Sequence, residues 1–81
     1  MYEQIRNWAR DRNLVEGSTP AHQMLKLSEE VGELAGAIAR GKGADAVDGI
    51  GDAVVVLTIL AAQMGVRIED CISVAWEEIK D

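Results

Sequence analysis

The sequence predicts an all-α protein, a four-helix, bundle-like protomer that is completed by oligomerisation. Four segments have apolar residues at helical spacing, turn residues fall mainly between those segments, and little of the chain alternates with period two. With 81 residues and a mass of 8.8 kDa, residues 1–81 are expected to form a single domain. A chain this short buries only about 60% of its unfolded surface, so it usually needs disulfides, a metal or another subunit. Because Cys71 is the only cysteine, metal and oligomerisation remain as supports.

The first two predicted helices begin and end at recognisable signals. The first runs from about Tyr2 to Arg12. The second runs from Pro20 to about Arg40, because Thr19 is a good N-cap, proline suits the first helical position, and Gly41 is a typical stop signal. The residues of the second helix that we expect to face the core are Met24, Leu27, Val31, Leu34, Ala35 and Ile38.

The third helix, from about Ala44 to Met64, decides the expected assembly. From residue 53 onward it is apolar nearly all round (AVVVLTILAAQM), which is typical of a helix buried on every side. A fourth, amphipathic helix is expected from about Ile68 to Lys80. Since so few helices cannot cover the third one, we expect a homodimer or homotetramer, with a solvent-exposed apolar face as the alternative.

The composition limits the kinds of partner that the protein is expected to bind and indicates a cellular compartment. Fourteen acidic against eight basic residues give a net charge of −6, which disfavours binding to nucleic acid or to an anionic membrane. The longest apolar stretch, residues 53–64, is too short to span a bilayer. A single cysteine and a charged N-terminal stretch, with no apolar signal segment, favour the cytoplasm.

Two acidic residues of the second helix are candidates for a functional site. Glu30 and Glu33 are three apart and therefore neighbours on one face, with Lys26 one turn before Glu30. Glu29 lies next to Glu33 on the more exposed side of the helix. For an isolated pair of this spacing a solvated face is the ordinary interpretation, but Glu30 lies beside the apolar stripe, which favours a site.

Three aspartates of the third helix, Asp45, Asp48 and Asp52, share one face that continues into apolar residues. Like charges one turn apart repel each other, and aspartate is a poor residue for a helix interior, so this face requires a compensating cation. Asp45 alone is explained by the helix dipole, because it lies in the first turn. Carboxylates with a lone histidine and cysteine favour Mg²⁺ or Mn²⁺ over zinc or iron.

The strings KLSEEVGELAGAI (residues 26–38) and DGIGDAVVVLTILAAQMG (residues 48–65) resemble the MazG-like, all-α nucleoside triphosphate pyrophosphohydrolases. The hallmark of that family is a Glu-x-x-Glu helix followed by a Glu-x-x-Asp helix. The upstream stretch WARDRNLVEGSTPAHQ (residues 8–23) resembles the lead-in of short members of phage or mobile-element type. The resemblance implies an oligomeric helical bundle that hydrolyses nucleoside triphosphates to monophosphate and pyrophosphate with Mg²⁺.

Residue by residue, the resemblance implies that Glu30, Glu33 and Asp52 are metal ligands. The chain departs from the family pattern at Gly49, three residues before Asp52, where the family has glutamate. Asp48 lies on the same helical face and is the candidate to replace the missing ligand. Metal ligation is therefore predicted for two residues of each of these two helices.

The same resemblance suggests roles in catalysis and substrate binding. The predicted catalytic set contains Glu29, Glu30 and Glu33, with either Glu29 or Glu33 as general base. Lys26 is expected to neutralise a phosphate oxygen, and Trp8 to stack on the base, although a tryptophan on an amphipathic helix is more often a core residue. Two alternatives stay open: a non-catalytic oligomer that binds Mg²⁺ or nucleotide, and a helical protein whose third helix docks on another protein.

Overall fold

The structure is a computed structural model that describes residues 1–81 and contains four α-helices and no strand. The helices are α1 (Tyr2–Asp11), α2 (Pro20–Ala39), α3 (Gly43–Gln63) and α4 (Ile68–Ile79). Each bound lies within one residue of its expected position, so the all-α prediction is confirmed. α3 is the central helix, because it packs mainly against α2 and also contacts α1 and α4.

The predicted helix signals are present. The Thr19 hydroxyl accepts a hydrogen bond of 3.1 Å from the backbone N–H of His22, which satisfies one free donor at the start of α2. Gly41 and Gly65 follow α2 and α3 with φ angles of +69° and +74°, a conformation that glycine adopts at little cost. These signals are local, and this explains why the helix bounds follow from the sequence.

The protomer is flat and its core is thin. Its radius of gyration is 13.7 Å, against about 12 Å for a compact chain of this length, and its principal extents are 38 × 37 × 23 Å. The buried apolar residues are Ala9, Ala37, Val56, Ile59 and Ala61. The core is therefore aliphatic, as the absence of phenylalanine predicts, but it is too small to account for all the apolar residues of the chain.

The predicted core face of α2 is partly wrong. Met24, Val31 and Ile38, which are spaced seven residues apart, are exposed by 48%, 50% and 64%. Ala35, also predicted to face the core, is exposed as well. The residues of α2 that are buried or half-buried are instead Gln23, Leu27, Glu30, Leu34, Gly36 and Ala37. The face in contact with the rest of the chain is thus rotated by about one residue, and it leaves an apolar ridge, residues 24, 31 and 38, on the outside.

The expected burial of α3 and α4 is also incomplete. In the second half of α3 Val56, Thr58 and Ile59 are buried, but Leu57 is exposed, and α4 has no buried residue at all. One chain therefore leaves part of α3 uncovered, as its small number of helices leads us to expect, and burial of α3 on every side stays a prediction about the oligomer. No single helix is long and apolar enough to cross a membrane; α3 and α4 pass that test only as a pair, by length and composition, and they are bent by 104°.

A buried arginine ties the two ends of the chain together. The Arg6 guanidinium donates hydrogen bonds of 2.6 and 2.9 Å to the two carboxylate oxygens of Glu69, so α1 is joined to α4 by a two-pronged ion pair. The Arg6 hydrogen bond is the main reason why the pKa of Glu69 falls to about 2, and in return it raises the pKa of Arg6 further above its usual range. This pair spans 63 residues of sequence and fixes α1, which carries part of the site described below.

Glu69→Gln is expected to melt at a lower temperature than the parent protein at pH 7, and this difference should disappear in acid. The folded-state pKa of Glu69 is about 2 and its ordinary value is 4.5. A lowered pKa stabilises the folded state above pH 4.5, and that stability is lost as the pH falls toward 2. Thermal melts by circular dichroism at several pH values measure the effect, with the exposed Glu78→Gln as control. A difference that stays constant from pH 7 to pH 2 would contradict the assignment.

Candidate functional site

An apolar cavity of about 330 Å³ lies between α1, α2 and α3. It is lined by Trp8, Leu14, His22, Gln23, Lys26, Glu30, Asp52, Val55, Val56 and Ile59. Its wall on the α3 side is aliphatic except for Asp52, and its other polar groups come from α2 and from Trp8 of α1. A pocket with mostly apolar walls and a few convergent polar groups is typical of a small-molecule site.

A second depression, the acidic cleft, lies between the end of α2 and the start of α3 and has a volume of about 250 Å³. It is lined by Glu33, Ala37, Arg40, Asp45, Asp48, Gly49 and Asp52. The connection from α2 to α3 has only three residues, so the two helices form a hairpin. This brings three of the four predicted ligands, Glu33, Asp48 and Asp52, to one cleft, whereas Glu30 lines the apolar cavity instead.

Asp52 joins the two depressions, because it lines both of them. It also lines an outer cavity of about 370 Å³ together with Gln4, Ile5, Trp8 and Val55. Asp52 is half-buried, whereas Asp45 and Asp48 are exposed, so the expectation that the three aspartates of this face point toward the core is correct for Asp52 only. The carboxylate of Asp52 therefore lies at the boundary between an apolar and an acidic environment.

Glu30 is a nearly buried carboxylate, 8% exposed, on the wall of the apolar cavity. The Lys26 ammonium lies 3.5 Å from Oε1 of Glu30 and 3.8 Å from Oε2 of Glu29. The lysine thus compensates part of the negative charge of the α2 cluster, as its position one turn earlier predicts. Glu29 is exposed and lines neither depression.

Comparison with known proteins shows to which family the chain belongs. The family model of the MazG nucleotide pyrophosphohydrolase domain matches residues 18–80, which include all of α2, α3 and α4. The chain belongs to this family. The predicted resemblance is thereby confirmed, and α1, which lies outside the match, adds Trp8 to the MazG domain.

One relative of this MazG domain is an uncharacterised 18.2 kDa protein of the rep-hol intergenic region of Haemophilus phage HP1 (strain HP1c1). The two sequences are 51% identical over 63 residues, which make up 78% of this chain and 39% of the phage protein. The chain therefore spans well under half the length of that relative. No solved structure matches the chain.

The donor set of the MazG domain fits a hard divalent cation. Members of the family are generally dependent on a divalent metal, and Glu33, Asp48 and Asp52 offer carboxylate oxygens in one cleft. No three of the Asp, Glu, His and Cys side chains are close enough to form a complete protein cage for an ion. Mg²⁺ does not require such a cage, because it is usually bound by one or two carboxylates together with waters and substrate phosphates. The carboxylates of the cleft therefore fit an ion that is also coordinated by the phosphates of a bound ligand.

Trp8 of α1 lines the apolar cavity and the outer cavity and is 42% exposed. The Arg12 guanidinium lies 4.8 Å from the centroid of its ring, close enough for a cation–π contact. The ordinary expectation that this tryptophan is a core residue is therefore wrong, and its side chain is available to the site.

Three residues that the sequence did not single out contribute to these walls: His22, Gln23 and Arg40. For His22 a signal exists, because it precedes Lys26 by one turn and Glu30 by two, so the three share a face. Gln23 is 5% exposed and donates a 3.0 Å hydrogen bond from Nε2 to the Ser18 hydroxyl. No pattern in the sequence marks Gln23 or Arg40, because both belong to the site only through the packing of α2 against its neighbours.

Proposed function

We propose that the chain is a Mg²⁺-dependent nucleoside triphosphate pyrophosphohydrolase, acting on a ribo- or deoxynucleoside triphosphate. Family membership supports nucleotide pyrophosphohydrolase activity in general. The observation that carries the specific proposal is the position of Asp52 between the apolar cavity and the acidic cleft. A nucleoside in the apolar cavity, with Trp8 against its base, would direct its phosphates toward the carboxylates of the cleft.

In the proposed reaction, a water oxygen forms a bond to the α-phosphorus while the bond from that phosphorus to the bridging oxygen of the β-phosphate breaks. Pyrophosphate leaves with the bridging oxygen, and the proton of the water passes to a carboxylate. Mg²⁺, when bound, polarises the phosphate and lowers the pKa of bound water. Glu30, Glu33, Asp48 and Asp52 are the residues proposed to hold it, with Mn²⁺ as a substitute.

Of the two residues proposed as general base, Glu33 is the better placed. It lines the acidic cleft together with Asp48 and Asp52, whereas Glu29 lines neither depression and lies 3.8 Å from the Lys26 ammonium. Lys26 lines the apolar cavity beside Glu30, so it is proposed to contact the phosphate nearest to the nucleoside.

We also propose that the working form is a homodimer or homotetramer. The ridge of residues 24, 31 and 38 on α2 is exposed, and so are Val47 and Ile50 on α3 and Trp76 on α4. Apolar surface of this extent on a small chain is typical of an interface. Sedimentation equilibrium should give a mass of two or four chains, and a mass of one chain at all concentrations would contradict the proposal.

The activity is tested by pyrophosphate release from the eight ribo- and deoxynucleoside triphosphates, with Mg²⁺ and with excess chelator. We expect release from at least one nucleotide, and we expect chelator to abolish it. Activity that persists in chelator would contradict the metal requirement. Nucleotide binding without release from any of the eight would favour the alternative, a non-catalytic oligomer, for which the departure at Gly49 is the supporting feature.

A further inference from the structure

We propose that Arg40 binds the terminal phosphates of the substrate, which leave as pyrophosphate. This inference rests on the proposed function and adds a residue to it. Arg40 follows the last residue of α2 and is the only cationic side chain among those that line the acidic cleft. A polyphosphate entering a cleft with four carboxylates needs positive charge from the protein as well as from divalent ions.

The Arg40 guanidinium is free to bind a ligand. None of the ion pairs or side-chain hydrogen bonds of the structure includes it, although Asp45, Asp48 and Asp52 line the same cleft. By contrast, Arg6, Lys26, Arg67 and Lys80 are all paired with carboxylates. A guanidinium presents five N–H donors in a planar fork that matches phosphate oxygens. Arg40 therefore has its full donor set available.

Because Gly36 has no side chain, the Arg40 guanidinium can lie close to the backbone of α2 at that residue. A Cβ atom at Gly36 would lie 3.1 Å from both Nη1 and Nη2 of Arg40, so the guanidinium lies over the bare backbone of α2. Glycine in a helix interior is destabilising relative to alanine, which makes its presence here informative. The backbone N–H of Arg40 also donates a hydrogen bond to the Gly36 carbonyl, so the backbone of residue 40 lies one helical turn beyond Gly36.

The position of Arg40 determines the orientation in which the nucleotide would bind. The apolar cavity accepts the nucleoside, Asp52 marks the boundary where the α-phosphate would lie, and Arg40 lies on the far side of that boundary from Trp8, in the acidic cleft alone. The β- and γ-phosphates would therefore meet Arg40. The monophosphate product, which lacks these two phosphates, would not.

The test is calorimetric titration with inorganic pyrophosphate and, separately, with a nucleoside monophosphate, both in the presence of Mg²⁺. Arg40→Gln should weaken pyrophosphate binding about tenfold, the lower range for a hydrogen bond to a charged group, and leave monophosphate binding unchanged. Arg40→Lys keeps the positive charge but not the planar fork of N–H donors, so its affinity for pyrophosphate should lie between those of the unmodified protein and Arg40→Gln. Lys42→Gln is the control, because Lys42 is an exposed neighbouring cation that does not line the cleft.

Gly36→Ala supplies a second variant that leaves Arg40 in place. It should raise the melting temperature through helix propensity, yet weaken pyrophosphate binding by displacing the guanidinium. If the unmodified protein releases pyrophosphate from nucleotides but Arg40→Gln binds pyrophosphate as Lys42→Gln does, the inference is overturned and the proposed function stands. An equal loss of monophosphate binding would overturn the assignment to the terminal phosphates. If the unmodified protein neither hydrolyses nucleotides nor binds pyrophosphate, the proposed function fails and this inference fails with it.

Discussion

Asp52→Asn is expected to lower kcat for pyrophosphate release by roughly 100-fold or more, since even a residue that only supports a metal ligand is worth about 10- to 100-fold. Asp52 is the one carboxylate that lines both the apolar cavity and the acidic cleft, so no other residue occupies its position at the boundary. The variant should stay folded and become slightly more stable, by about 0.2–0.5 kcal/mol, because repulsion from Asp48 one turn earlier is relieved. Pyrophosphate release and thermal melting measure the two effects.

The matched comparison uses Glu30→Gln and Glu78→Gln. Glu30 is a nearly buried carboxylate in the site, and its replacement should also abolish turnover while the helices remain folded. Glu78 is an exposed carboxylate on α4 that forms no ion pair, and its replacement should leave turnover unchanged. A folded Asp52→Asn or Glu30→Gln protein with the turnover of Glu78→Gln would falsify the site assignment.

Gly49→Glu, which restores the family's acidic residue, is expected to destabilise the protein rather than to improve catalysis. Gly49 is buried, and a Cβ atom there would lie 3.3 Å from Cβ and Cδ1 of Leu34 and 3.5 Å from its Cα. The Leu34 side chain would have to move by a few tenths of an ångström to accommodate even a Cβ atom, and a glutamate side chain requires more room still. Overpacking of this kind costs about 1–3 kcal/mol. For a chain of this size, a loss of about 2 kcal/mol lowers the melting temperature by roughly 10 °C.

Gly51→Glu is the matched control for this effect. It introduces the same side chain two residues later in α3, where a Cβ atom meets nothing within 4 Å. Its melting temperature should stay within a few degrees of the parent value. A Gly49→Glu protein that melts as Gly51→Glu does, and that releases pyrophosphate faster than the parent protein, would show that α2 yields and that the family position is still a usable ligand site.

The position of Gly49 also explains the departure from the family pattern in physical terms. The small residue allows α2 to approach α3 closely at Leu34, which helps to bring Glu33 and Asp48 to one cleft. Asp48, which lines the same cleft, is the residue proposed to replace the missing ligand. The sequence alone showed the missing glutamate, but not the close approach of the helices that accompanies it.

The sequence by itself determined the helices. Thr19, Gly41 and Gly65 act through backbone groups a few residues away, so their effect does not depend on the rest of the fold. Helical spacing placed Lys26 beside Glu30 for the same reason, and the structure has the two 3.5 Å apart. The family is also evident from strings within single helices, since its motif is built from residues three apart.

Only the tertiary structure decided which faces meet. Hydrophobicity assigned Met24, Val31 and Ile38 to the core, but they are exposed, because the pattern does not distinguish a face buried within one chain from a face left for another. The junction at Asp52, the free guanidinium of Arg40 over Gly36, and the Arg6–Glu69 pair across 63 residues all depend on how separate helices approach each other. Contacts of this kind arise from packing between distant segments, which local periodicity does not encode.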